Sequence, residues 1–247
     1  MFALYVIVNY SVAVASGVPY PEIFASTENV WRGVVVVQIV DLVIAVGALT
    51  LLGWWRPALW ERARSPHRWL IIAPALALGT TLVRFSSTDW ASIPLDFLLA
   101  TGLTVVLVGF NEEMFTRGIL IVGFRGSVRE VWVWLASAAL FGLMHLSTFF
   151  RGQDLGATLL QVLTAFVVGT VLYELRRVGG TLLWCMLLHA LWDFGAFVYG
   201  YAPAPLNGPA SAVYLGLMIG TYLLGLICVG FAIRGAREGF GRRAPVG

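Results

Sequence analysis

Eight stretches of this 247-residue chain are apolar and long enough, or nearly so, to cross a bilayer, and nothing else restricts its fold as strongly. A spanning helix needs roughly 20 apolar residues. The stretches run approximately over 2–18, 33–55, 69–84, 94–124, 131–149, 156–175, 179–200 and 211–233. Apolar residues make up 59% of the chain and charged ones only 12%, so little remains from which to build a soluble domain. The expected architecture is all-α: a polytopic integral membrane protein of about eight transmembrane helices, in one domain over 1–247. The third stretch is short and contains Pro74. The fourth is too long for one perpendicular span, so it is expected to tilt, to extend past the bilayer or to break near Ala100–Gly102. The first, opening Met-Phe-Ala-Leu without a basic leader, reads as a retained helix.

Arginine placement gives an orientation. With the N-terminus inside, twelve arginines fall on the cytoplasmic side: Arg56, Arg62, Arg64 and Arg68, then Arg125 and Arg129, then Arg176 and Arg177, and Arg234, Arg237, Arg242 and Arg243 in the tail. Arg32, Arg84 and Arg151 fall outside. This bias follows the positive-inside rule and puts both termini in the cytoplasm, in the plasma membrane of a prokaryote. The net charge of +3 thus has a topological meaning, and no nucleic-acid partner is expected. The arginine-rich loop 56–68 is expected to lie against anionic lipid, and Trp132 and Trp134 to form part of an interfacial belt. Cys185 and Cys228 each sit in an apolar stretch and read as buried, inert thiols.

A few ionisable groups lie inside the apolar stretches: Asp41, Glu112, Glu113, Arg117, His145, His189 and Asp193. Each costs at least about 2.5–3.5 kcal/mol at the bilayer centre, so partners, water or chemistry must offset them. Glu113 and Arg117 are four apart and share a helix face, as do Phe141 and His145, and His189 and Asp193. Taking Phe124, Glu130 and Val178 as cytoplasmic edges, a rise of about 1.5 Å per residue puts Glu112 roughly 18 Å deep, His145 roughly 22 Å, His189 roughly 16 Å and Asp193 roughly 22 Å. Helices of alternating direction therefore bring these four groups to similar depth. One site near mid-membrane, built from the fourth, fifth and seventh helices, is the expectation.

Carboxylates and imidazoles together suit hydrolysis inside a membrane. A carboxylate takes a proton from water, and an imidazole shares that task or donates to a developing oxyanion. The same groups are ligands for Zn²⁺ with one position open for water, with Glu112, His145, His189 and Asp193 as the ligand set. Both versions stay open at this point. Glu113 with Arg117 reads first as an ion pair that fixes packing, Phe141 as packing support, and Asp41 as a polar contact between helices.

Glu112-Glu113-x-x-x-Arg117, then Phe141-x-x-x-His145, then His189-x-x-x-Asp193 resemble, in order and spacing, the three motifs of the CPBP family, the CAAX proteases and bacteriocin-processing enzymes also called the Abi family. The resemblance covers roughly 94–200, the catalytic core. Members are eight-helix intramembrane endopeptidases, many of them classed as metalloproteases. The resemblance implies that Glu112 and His145 activate water and that His189 and Asp193 stabilise the tetrahedral intermediate, with Glu113, Arg117 and Phe141 in support. Many members have Asn where this chain has Asp193, and an ionised Asp cannot donate a hydrogen bond. Orientation of His189 or metal binding is the role expected of it. The implied substrate is a membrane-associated or lipid-modified peptide or protein, entering laterally or from the cytoplasm, with membrane lipids the other partner. Two other functions use the same residues: a proton-coupled transporter, since buried acids and histidines mark ion paths, and a non-catalytic membrane immunity or scaffold protein.

Overall fold

The computed structural model describes residues 1–241, with side chains to Arg234. Arg242 and Arg243 of the tail lie outside the described residues, as does the side chain of Arg237. The fold is a helical bundle: α1 (Phe2–Ala15), α2 (Thr27–Leu52), α3 (Arg68–Ser86), α4 (Leu95–Arg125), α5 (Glu130–Arg151), α6 (Leu155–Gly179), α7 (Leu183–Tyr201) and α8 (Pro209–Gly241). Helices α2 to α7 and the first part of α8 are long and apolar enough to span a membrane, seven in all among the described residues. Helix α1 is shorter than expected. Its 14 residues rise about 21 Å, against a hydrocarbon core of about 30 Å. It ends where Gly17, at φ +70°, turns the chain.

Local chemistry sets the ends. Ser26 caps α2 by accepting from the Asn29 amide, and Asp154 caps α6 by accepting from that of Ala157. Gly180, at φ +76°, closes α6. Pro74 falls in the first turn after the tight Arg68–Ile71 start of α3, where a missing amide hydrogen costs nothing. Helix α4 is not broken at Ala100–Gly102. It runs on as a 31-residue helix and widens into a π-helical stretch over Met114–Ile119 instead.

In the packing, α4 lies along α7, and α5 along α6; α8 covers α3 and α6; α1 and α4 flank α2. Helices α4 and α7 approach closely at Gly109, where a Cβ would stand 2.8 Å from the Met186 carbonyl oxygen. The lipid-facing surface carries exposed Leu51, Leu95, Leu163, Ile227 and others, as a bilayer requires. Trp132 is exposed and suits a belt, but Trp134 turns inward and donates from Nε1 to Thr170 Oγ1 at 3.1 Å. Two positions apart, the two rings cannot share one helix face. Both cysteines are buried and free.

The arginine-bearing loops meet at one end of the bundle, and they are pinned there by acids. Glu61, from loop 56–68, is buried between Arg125 (Nη1–Oε1 2.8 Å), Arg176 (Nε–Oε2 3.0 Å) and Arg177 (Nη1–Oε1 3.6 Å). Arg125 also holds Glu130 at 2.6 Å, and Glu130 accepts from the Tyr173 hydroxyl at 2.7 Å. The loop backbone is tied down by Ser65 N–H to the Arg177 carbonyl at 2.8 Å. The four arginines of this loop, Arg56, Arg62, Arg64 and Arg68, are exposed and free to lie on lipid, while Glu61 is buried. Burial alone would raise the Glu61 pKa, but the guanidinium groups of Arg125, Arg176 and Arg177 outweigh it and hold the carboxyl at about 2 rather than 4.5. A depressed carboxyl stabilises the fold above its ordinary pKa and loses that effect as pH falls through its folded value. The purified protein should therefore lose thermal stability between about pH 4.5 and about 2, by on the order of 3 kcal/mol. Glu61→Gln should be less stable at neutral pH and lack this acid step, as melting curves across that range will show.

Candidate active site

The three motifs converge from α4, α5 and α7 on a single cavity of about 320 Å³, lined by Glu112, Phe141, His145, His189 and Asp193. The expected residues are thus brought together. The adjacent glutamates part ways. Glu112 borders the cavity with its side chain 14% exposed, whereas Glu113 is fully buried behind it.

Glu113 has two partners on one oxygen. Its Oε1 accepts from Arg117 Nη1 at 2.8 Å and from His189 Nδ1 at 3.0 Å. The first contact is the expected ion pair. The second reaches across to α7, which spacing within one helix does not reveal. Glu113 therefore fixes the ring of His189 and gives Nδ1 its hydrogen. Asp193, expected to orient this ring, lies on the other side, with Oδ2 3.5 Å from Nε2. Glu112 Oε2 faces the same Nε2 at 3.9 Å.

His145 is set differently. It sits where α5 tightens from an α-helix into the 3₁₀ turns of His145–Arg151. Its Nδ1 is 2.8 Å from the Phe141 carbonyl oxygen. A carbonyl only accepts, so Nδ1 carries the hydrogen and Nε2 keeps the lone pair. The four-residue spacing of Phe141 and His145 thus serves a backbone contact as well as packing.

Phe141 joins the parts. Its ring stands edge-on to both imidazoles, with centroids 5.3 Å from His145 and 5.6 Å from His189. The Arg117 guanidinium lies over its face at 3.9 Å. Room for both comes from Gly169 on α6: a Cβ there would stand 2.6 Å from Arg117 Nη2 and 3.0 Å from the Phe141 ring. The π-helical stretch at Met114–Ile119 leaves carbonyls without their usual helical partner. The Thr116 carbonyl accepts from Ser137 Oγ at 2.9 Å, and that of Arg117 from Arg176 Nη1 at 2.6 Å. Arg176 thus links the buried Glu61 cluster to the motif that bears the glutamates. Sequence reading missed Glu61 and Arg176. The signal was Glu61, the single acid in an otherwise basic loop.

Asp41 is buried and accepts from Asn9 Nδ2 at 2.6 Å, a contact between α1 and α2 as expected. Asn111 holds α4 to α2 through Gln38 Oε1 at 2.8 Å.

Catalytic zinc takes three protein ligands and keeps one position open. The donor types here suit it, and both Nδ1 atoms are already engaged, which would leave each Nε2 for a ligand role. Among the described residues, however, no three His, Cys, Asp or Glu side chains gather into a group that could hold a metal ion. Glu112, His145, His189 and Asp193 line one cavity without closing on a common point.

Residues 94–195 match the family model described as type II CAAX prenyl endopeptidase Rce1-like. That segment contains all three motifs. No curated protein and no solved structure matches the chain.

Proposed function

We propose that this chain, whose residues 94–195 match the Rce1-like family model, is a membrane protease that hydrolyses a peptide bond within the cavity. The carrying observation is the different setting of the two imidazoles. One presents a lone pair to the cavity and the other is fixed by a buried carboxylate.

The steps are these. Glu112 takes a proton from water, and the oxygen attacks the scissile carbonyl. His145, with Nδ1–H held by the Phe141 carbonyl, accepts a hydrogen bond from that water through Nε2 and aims it. In its doubly protonated form His189 donates from Nε2 to the oxyanion while Nδ1–H stays on Glu113. Collapse of the tetrahedral intermediate breaks the C–N bond, and the proton on Glu112 passes to the leaving amine. One water is consumed, and an acid and an amine result. Asp193 lies close enough to Nε2 to favour the donating form of His189, a role open to Asp as well as to Asn.

The cavity also bears on access. Its rim includes Tyr20, Arg151 and Gln161, at the end of the bundle away from the Glu61 cluster. If the arginine-rich end is cytoplasmic, of the two routes expected from sequence, lateral or cytoplasmic, this opening favours the lateral one or entry from the opposite face. The substrate class that fits is a membrane-associated chain in extended form.

The protein in proteoliposomes, incubated with membrane-anchored peptides, tests this reading. New termini should be found by mass spectrometry, and His145→Ala should lose them. Metal chelators should leave the rate unchanged. Loss on chelation with recovery on added Zn²⁺ would instead assign water activation to a metal.

A further inference from the structure

Asp41 takes no part in the steps above, yet it is a fully buried acid on α2. Burying an acid is costly, and a neutral side chain would tie α1 to α2 as well. What a carboxylate adds is direction. It only accepts, so it draws an amide nitrogen and turns the amide oxygen away. Asp41 Oδ2 accepts from Asn9 Nδ2 at 2.6 Å. Asn9 lines the cavity that holds Glu112 and the two histidines, and among the described residues nothing donates to its Oδ1. Tyr5 lies four residues before Asn9 on α1 and lines the same cavity. Its ring is stacked on Phe115, beside the paired glutamates, with centroids 4.0 Å apart and planes at 15°. The stack fixes the ring, and among the described residues the hydroxyl makes no hydrogen bond.

Helix α1 thus sets an acceptor and a donor on one face, about 6 Å apart along its axis. An extended peptide carries N–H and C=O groups along each edge and repeats them every two residues, about 6.7 Å. The two spacings fit. We infer that α1 holds the substrate by its backbone: Asn9 Oδ1 accepts a peptide N–H, and the Tyr5 hydroxyl donates to a peptide carbonyl. Asp41 is the positioning residue that turns Asn9. This rests on the hydrolytic reading above. It gives a part in substrate binding to a helix outside the matched segment 94–195.

Backbone groups are common to all peptides, so a model sequence serves as probe. The full chain carrying Glu112→Gln, expected to bind without cutting, is titrated by calorimetry with palmitoyl-Gly-Ala-Val-Leu-Ala-Val amide. Analogues replace one amide N–H at a time by an ester oxygen. At least one ester should bind about 3- to 10-fold more weakly than the amide peptide. In Asn9→Leu the penalty at that position should vanish. Asp41→Leu, which frees the Asn9 amide to turn, should shrink it. A purely structural role would weaken amide and ester peptides together and leave their ratio unchanged. Tyr5→Phe keeps the stack on Phe115 and should weaken the amide peptide about 3- to 10-fold. Equal binding of the amide and every ester would overturn the Asn9 contact, as would ester penalties unchanged in Asn9→Leu. Unchanged affinity in Tyr5→Phe would overturn the carbonyl contact, and no binding of any probe would overturn both. If Asn9→Leu fails to fold because Asp41 is left bare, the double variant with Asp41→Leu removes both partners and decides in its place. N–H dependence without cleavage of any membrane-anchored peptide by the parent would sink the hydrolytic reading alone. Cleavage without N–H dependence would sink the α1 contacts alone.

Discussion

Glu112→Gln is expected to reduce cleavage by about 10²- to 10⁴-fold while leaving the fold intact. The carboxylate borders the cavity 3.9 Å from His189 Nε2, where it can take a proton from water, and the amide of Gln cannot do so. Its removal should cost little stability. Among the described residues the Glu112 side chain has no hydrogen bond to protein, and its Oε2 stands 3.9 Å from His189 Nε2. Gln keeps its shape, so no buried partner is left bare. Melting curves of the variant should overlay those of the parent. Substrate affinity should also survive, which would place the loss in kcat rather than in KM.

Glu113 should behave in the opposite way. Glu113→Gln leaves the guanidinium of Arg117 buried without its counter-charge, a change that costs about 3–5 kcal/mol. Activity should fall with it, because Nδ1 of His189 loses its carboxylate. The double variant Glu113→Leu with Arg117→Met separates the two effects. Replacing both members of a buried pair by apolar groups is often neutral for stability. The double variant should therefore melt near the parent temperature and yet remain inactive. Recovery of both stability and activity would show that Glu113 is only a packing partner of Arg117.

The two glutamates also show how far the sequence could be read. Helical spacing joined Glu113 to Arg117, since both lie on one helix and a period of 3.6 residues is enough. It could not join Glu113 to His189, because that contact depends on how closely α4 and α7 approach, and the approach is set by Gly109 against the Met186 backbone. Rise per residue placed Glu112, His145, His189 and Asp193 at similar depth, and the structure has them around one cavity. The depth argument held because spanning helices are straight rods in a slab of fixed thickness. It said nothing of azimuth, so it could not show that Glu113 holds Nδ1 of His189 while Asp193 faces Nε2.

The arginines are a second case. Arg125, Arg176 and Arg177 read as topological markers, since loop charge is ordinarily solvated. In the fold they gather around Glu61, with Arg176 and Arg177 fully buried, and Arg176 reaches the Arg117 carbonyl. Long side chains let a residue in the last turn of a helix reach a site that its sequence position does not suggest. The π-helical stretch at Met114–Ile119 was likewise invisible, because its hydrogen-bond shift depends on outside partners, Ser137 and Arg176, as much as on its own residues.

The central claim is that water activated by Glu112 and aimed by His145 cleaves a peptide bond beside His189. Its most direct test is cleavage of membrane-anchored peptides in proteoliposomes by the parent chain and by Glu112→Gln, with the new termini identified by mass spectrometry. The account predicts new termini with the parent, and none above background with Glu112→Gln. Equal cleavage by both, at the same bond, would contradict it.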